Sequence, residues 1–294
     1  MASSCLGPAL ARADRTSGPH IQFPTEPHER IAVSSYPFRN FMSGQTNGGR
    51  SVDLKDFPAL VVERFQIHKI EPWSKHFTSV DPKYLEELRM ALDKAKSTVV
   101  NIPVDSDLNP FAANGSERER GIAFNKKWVD VAVAIGSPSI RPGLGHARDP
   151  ETSLERVAES TARLVEYAST KNIVVTLEND SIKSSDPFFV VKVIQKVNSP
   201  WLRALPDFGN TLAATAPDYA YRGLDAMFQH AYCITHVKSS ETNGKGITVH
   251  VDMAKAFGIL KRNNYKGYCS MEWDDRGDPF VETEKLIKTT LRYL

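Results

Sequence analysis

From Ile31 to its C-terminus the chain alternates eight times between a short β-rich run and an amphipathic helical stretch. This alternation constrains the fold more than any single motif. A strand that leads through a helix to the next strand returns as its parallel neighbour. The expected strands are Ile31 to Phe38, Ile67 to Trp73, Ser97 to Val104, residues 137–144, Asn172 to Asn179, Trp201 to Phe208, Tyr232 to Lys238 and Tyr268 to Trp273. Helices are expected over DLKDFPALVVERF, from Asp81-Pro82, up to Gly136, over 151–170, from Asp186-Pro187, over Pro217 to His230, over VDMAKAFGILKRN and at the C-terminus. The Asp-Pro pair at 81–82 has the form of an N-cap followed by proline at the first helical position. Within 151–170 the apolar residues recur at helical spacing. Eight such units predict an α/β protein whose parallel eight-stranded sheet closes into a (β/α)8 TIM barrel.

Loop lengths point the same way. Helix-to-strand connections are short, whereas strand-to-helix segments such as Arg39 to Ser51, Asp105 to Ser116 and Ser239 to His250 are long. In a closed barrel all strand-to-helix loops gather on one face, which carries the active site. No linker or low-complexity tract divides the chain, so residues 29–294 are expected to form a single catalytic domain. Residues 1–28 are set apart as an unstructured leader. Ala11-Arg12-Ala13 has the small-x-small form of a signal-peptidase site, without a charged n-region or a full apolar h-region before it. The leader is either the remnant of an export signal, implying a periplasmic or exported protein, or a plain leader on a cytoplasmic one.

Composition narrows the partners. Apolar residues make up 41% and charged residues 24%, and no apolar run is long enough to span a bilayer. The net charge is +2 with basic residues scattered, which predicts neither a nucleic-acid nor a membrane partner. Three cysteines without a CxxC pair make no disulfide framework, and Cys233 and Cys269 fall within apolar strands as ordinary buried thiols.

Four metal-capable side chains stand at the ends of four successive strands: Glu178 after VVTL, Asp207 after RALP, His236 after CIT and Glu272 after CSM. At the C-terminal end of a barrel strand each would point into the mouth. Three carboxylates and an imidazole converging at the rim of a dry core would repel one another unless a cation lay between them. Three oxygens and one nitrogen suit one divalent ion, Mn²⁺ or Mg²⁺ best, with Co²⁺, Fe²⁺, Ni²⁺ or Zn²⁺ as further options. Taken singly, each of these residues has the alternative of being a polar strand cap.

The segments IEPWSKHF, TLEND, PDFGN, THVK and SMEW, with the ordered set Glu, Asp, His, Glu on strands five to eight, resemble the sugar-phosphate isomerase/epimerase family of xylose-isomerase-like barrels. That family includes ketose 3-epimerases, inosose dehydratases and, more distantly, endonuclease IV, and the resemblance runs from Ile31 to the end. It implies that Glu178, Asp207, His236 and Glu272 bind the metal. It also implies that Glu178 and Glu272 move protons on opposite faces of the substrate. The chemistry is coherent in itself, since a chelated carbonyl and neighbouring hydroxyl acidify the C–H between them. There are departures. Asp180 stands where many relatives have His, and Asn210 where ketose 3-epimerases have His. Lys238 only partly replaces an arginine that follows the metal histidine. These leave the sugar, and simple 3-epimerisation, open.

Other residues near the expected mouth have two readings each. His146, after the fourth strand, is either a catalytic base separate from the metal ligands or an ordinary loop histidine. Glu71 on the second strand, and Trp73 and His76 after it, are sugar contacts, or else part of the barrel's inner packing or a structural polar network. Arg141 binds a substrate oxyanion or pairs with a carboxylate. Asn210 and Lys238 are expected to touch substrate, Lys238 because it lies two residues beyond His236 on the same side of the strand. No Walker loop or dinucleotide fingerprint is present.

The expected function is a metal-dependent isomerase or epimerase acting on a small carbohydrate through an enediolate, in a chain that could also form a homo-oligomer. A lyase or dehydratase using the same site on a keto-sugar or glycoside is the alternative, in which His146 gains importance. Phosphodiester hydrolysis would need several more histidines than the mouth supplies. A binding-only barrel would be expected to have lost a ligand.

Overall fold

The computed structural model of the chain describes residues 18–42, 51–144, 153–180 and 186–294. Its parallel strands are β1 (Ile31–Ser34), β2 (Lys69–Glu71), β3 (Thr98–Val99), β4 (Ile102–Val104), β5 (Ser139–Pro142), β6 (Val174–Glu178), β7 (Leu202–Leu205), β8 (Ile234–Val237) and β11 (Tyr268–Met271). They form two arcs, in the order β3-β2-β1-β11-β8 and β4-β5-β6-β7. The arcs meet in two places. One is the expected third strand, which is not continuous: Val100 and Asn101 interrupt it between β3 and β4. The other is a seam between β7 and β8, bridged at Ala204–Ala231 and Asp207–His236.

Pro206 accounts for the seam's irregularity. It has no N–H to give the ladder, so β7 stops at Leu205. Its carbonyl still accepts from His236 N at 3.0 Å and from Thr235 Oγ1 at 2.5 Å. Two of the four expected ligands therefore face each other across the seam, fixed by backbone contacts.

The helices between strands are α1 (Phe57–Phe65), α2 (Pro82–Lys94), α3 (Gly115–Ile135), α4 (Leu154–Ser169), α5 (Pro187–Val197), α7 (Pro217–Phe228), α8 (Met253–Arg262) and α9 (Pro279–Leu291), with a short α6 (Asn210–Ala214) in the loop after β7. Their starts follow capping rules. Asn114, Ser153, Asp186, Asp252 and Asp278 each accept a backbone N–H of the first turn, and proline opens α2, α5, α7 and α9. Gly136 ends α3 at φ 76°, a left-handed turn that glycine adopts without a Cβ clash.

Three expectations need correction. The first strand ends at Ser34, and Tyr36–Phe41 is a 3-10 turn. The long loop after β8 contains an antiparallel hairpin, β9 (Ser240–Thr242) and β10 (Thr248–His250). The leader does not extend to residue 28 as unstructured chain: from Gly18 on it lies against the lower end of the barrel. Tyr232 Oη donates to Pro19 O at 2.8 Å and accepts from Ile21 N at 3.1 Å. Phe23 sets its ring edge-on to Tyr232 and Tyr268. Arg30, buried, donates to Gly267 O and Tyr265 O.

The core fills the barrel and the layer between strands and helices, and every residue of β1, β4, β5, β6, β8 and β11 is buried. Cys233 and Cys269 are buried free thiols. No helix among the described residues is long and apolar enough to cross a membrane.

Candidate metal centre

β6, β8, β11 and the turn after β7 each deliver one side chain to the upper end of the barrel. Glu178 closes β6, His236 lies within β8, Glu272 directly follows β11, and Asp207 sits two residues past β7. All four are buried, and one ligand atom from each lies within 4.8 Å of the others. His236 Nδ1 is 2.7 Å from Glu178 Oε1 and 3.1 Å from Glu272 Oε2.

Asp207 is fixed by its own turn. Its Oδ1 accepts from the backbone N–H of Gly209 at 2.8 Å and of Asn210 at 2.6 Å. Asn179 grips its backbone from both sides, accepting from Asp207 N and donating to Asp207 O. That leaves Asp207 Oδ2 buried with no hydrogen-bond partner among the described residues, and Glu178 Oε2 is likewise without one. Each has a cation nearby, Lys238 Nζ at 3.5 Å and Arg141 Nε at 2.9 Å, but neither contact has hydrogen-bond geometry.

The electrostatics show what the cluster demands. Burial alone would disfavour charge on His236. The carboxylates of Glu272, Glu71 and Glu178 outweigh it and push the imidazole pKa well above its ordinary value. Burial likewise works to raise Glu272, but His236 and Lys238 overcome it and hold the carboxyl well below the usual range. Burial lifts Glu178 to about 7, against the pull of His236 and Arg141, and it raises Asp207. The four groups thus draw positive charge to their centre. Ligands on opposite sides of an ion with bonds of about 2.1 Å lie roughly 4.2 Å apart, so little contraction would let this set close on one. Two orphaned carboxylate oxygens and a donor set of three oxygens and one nitrogen fit a divalent metal.

The xylose isomerase-like TIM barrel family profile matches residues 62–294. The chain belongs to that family. No curated protein matches the sequence. Among solved structures, a D-allulose 3-epimerase from Methylomonas sp. superposes with a TM-score of 0.71 at 16% identity, covering 93% of this chain and 100% of that one. A xylose isomerase-like TIM barrel protein from Mycobacterium smegmatis in complex with magnesium gives 0.69 at 16%, covering 92% and 98%. A 3-keto-D-glucoside 4-epimerase from E. coli gives 0.65 at 15%, covering 90% and 98%. At these identities the likeness is one of fold.

Within this xylose isomerase-like barrel, several other residues picked from the sequence border the cluster. Lys238 Nζ reaches Asn210 Oδ1 at 3.0 Å, Glu241 Oε2 at 2.9 Å and Glu272 Oε2 at 3.3 Å. Asn210 Nδ2 lies 3.4 Å from Glu178 Oε1. Arg141 takes the ion-pair alternative: Nη1 meets Asp105 Oδ1 at 2.8 Å and Asp180 Oδ2 at 3.1 Å. Trp73 donates its indole N–H to Asp105 Oδ2 at 2.6 Å and stands edge-on to Tyr36 and His76. His76 is buried, with Nδ1 on Ser35 Oγ at 2.8 Å. His146 lies outside the described residues.

Glu71 takes the second of its two readings, a structural polar network. It lies behind His236, fully buried, with both carboxylate oxygens engaged by protein groups. It has no free face to offer a substrate hydroxyl.

Sequence reasoning missed Asp105 beside the cluster, although it follows the apolar run of β4 as the four cluster residues follow theirs. It also missed Glu241, which belongs to the hairpin and carries no strand-end signal. Asn101, Asn179, Ser35 and Ser270 were passed over because single polar residues inside apolar runs have no distinguishing pattern.

Proposed function

We propose that the protein is a divalent-metal-dependent sugar isomerase or epimerase that moves a proton next to a carbonyl by way of an enediolate. The observation that carries this reading is the convergence of Glu178, Asp207, His236 and Glu272, all buried, with ligand atoms within 4.8 Å. Glu178, Asp207, His236 and Glu272 would hold the ion, and Mn²⁺ or Mg²⁺ suits their oxygen-rich set. When bound, a divalent ion polarises the carbonyl and its neighbouring hydroxyl and offsets the enediolate charge.

The rest falls to the chain. Glu178 and Glu272 both border His236 Nδ1, so two carboxylates adjoin the place where a chelated substrate would sit. One would remove the C–H proton and the other would return one to the opposite face. Lys238 and Asn210, joined to each other and adjoining Glu272 and Glu178, would position substrate oxygens. Trp73, half-buried beside the mouth, offers an aromatic face for a sugar ring. The epimerase activity named for two of the similar structures supports the same class of substrate.

The test is incubation of the Mn²⁺-loaded protein with a panel of keto-sugars in D₂O. Expected is one solvent deuteron at the carbon beside the carbonyl together with an isomerised or epimerised product, both abolished in Glu178→Gln and Glu272→Gln. Loss of water or of an aglycone instead of reprotonation would transfer the site to the lyase class. Undiminished turnover in either variant would remove that glutamate from the mechanism.

A further inference from the structure

His236 has two faces, and they are occupied by different carboxylates. Nδ1 looks to Glu178 and Glu272. Nε2 looks the other way, to Glu71, at 3.0 Å from Oε1 and 3.1 Å from Oε2. A carboxylate only accepts, so the nitrogen facing Glu71 must carry the proton. Nδ1 faces Glu178 and Glu272 and without an ion shares a proton with them. An ion in the cluster would displace that proton and take the Nδ1 lone pair, while Nε2 keeps its own proton toward Glu71.

Glu71 is itself held from two further sides. Asn101 Nδ2 donates to Oε1 at 2.8 Å, and Ser270 Oγ donates to Oε2 at 2.6 Å. Asn101 is fixed in turn, because Ser139 Oγ approaches its Oδ1 at 2.7 Å and leaves the amide nitrogen turned to Glu71. Glu71, Asn101, Ser139, Ser270 and His236 come from five stretches of the barrel wall and are all fully buried. A five-membered polar layer inside a barrel core is costly to assemble unless every member is satisfied. The interruption between β3 and β4 falls at Val100-Asn101, where Asn101 turns inward to this layer.

We propose that Glu71 is a positioning residue for the metal centre: it orients the His236 ring, keeps the proton on Nε2 and so presents Nδ1 as the ligand atom. Asn101 and Ser270 hold the Glu71 carboxylate in place. A carboxylate on the far nitrogen also makes an imidazole a stronger donor, and loss of such an outer partner weakens metal binding by about 10–100-fold. This rests on the metal-centre reading above, and the two are separated by independent measurements.

The first measurement is calorimetric titration of ion-free protein with Mn²⁺, comparing wild type, Glu71→Gln, Glu71→Ala and Ser270→Ala. Expected is one site in wild type, weakened about 10–100-fold in both Glu71 variants and less in Ser270→Ala. The second is proton NMR of ion-free, ¹⁵N-histidine-labelled protein, where a slowly exchanging imidazole Nε2–H is expected in wild type and lost in Glu71→Ala. Wild-type Mn²⁺ affinity in both Glu71 variants would overturn the proposal, as would an unchanged Nε2–H resonance in Glu71→Ala. If wild type itself takes up no divalent ion, the metal reading fails, while the Nε2–H resonance still decides whether Glu71 orients His236. Should Glu71→Ala not fold, the near-isosteric Glu71→Gln and the milder Ser270→Ala carry the comparison.

Discussion

His76 shows how strongly this barrel sets the state of a single residue. Its ring is buried, Nδ1 engages Ser35 Oγ, and Nε2 has no hydrogen-bond partner among the described residues. The Ser35 hydroxyl accepts from Trp73 N at 2.8 Å and has its own proton to offer His76 Nδ1 when the imidazole is neutral. Burial, helped by the charge of Arg39, lowers the pKa to about 4 from an ordinary 6.5. The sign follows directly. Between those values the unfolded chain takes up a proton that the folded protein refuses, so stability falls as pH falls through that window. From pH 7 to pH 5 the loss from this group is about 2 kcal/mol. Urea unfolding at both pH values, for wild type and His76→Gln, checks it: wild type should lose roughly 2 kcal/mol more than the variant. Equal losses would show that the folded protein accommodates the imidazolium.

At the scale of elements, the eight-fold alternation was legible because a buried parallel strand is a bare apolar run and a covering helix is not. The four residues of the buried cluster stand out because each closes such a run. What escaped was decided by contacts between distant segments. Nothing local in STVVNIPV announces that Asn101 turns inward to Glu71 and interrupts the strand. Glu71 itself looks like any polar strand end until His236 is seen against it. The hairpin β9–β10 lies in a stretch of polar and glycine residues that has the composition of a loop. The segment from Gly18 to Glu26 has no period of its own, and its order comes from Tyr232 and Tyr268 on the barrel's lower end. Its attachment is therefore expected to be sensitive at Tyr232, whose hydroxyl both donates to Pro19 O and accepts from Ile21 N. Tyr232→Phe keeps the ring contact with Phe23 and removes both bonds, a loss of about 1–2 kcal/mol. Hydrogen exchange at Ile21 and Gln22 should quicken in the variant while amides in β6 and β8 keep their protection. Uniformly faster exchange throughout the barrel would mean that the segment is not a local attachment.

For the whole molecule, the seam between β7 and β8 ties the site to the stability of the fold. The two arcs meet there through a few backbone bonds around Pro206, and the residues directly paired across it are Ala204 with Ala231 and, at the site itself, Asp207 with His236. An ion held by Asp207, His236, Glu178 and Glu272 would join β6, the end of β7, β8 and β11, thereby clamping the least regular part of the ring. Because the unfolded chain has no such cluster, binding adds to folding free energy. With free ion at one hundred times its dissociation constant, the gain is about 2.7 kcal/mol. For a domain of this size the unfolding entropy converts that into a rise in Tm of roughly 5 °C. A thermal scan with Mn²⁺ should show this rise, EDTA should reverse it, and the Glu178→Ala/His236→Ala double variant should show none. The converse is equally informative. A double variant that gains the same 5 °C would place the ion elsewhere on the molecule, and the four residues would then be a polar layer that stabilises the barrel through their own ion pairs.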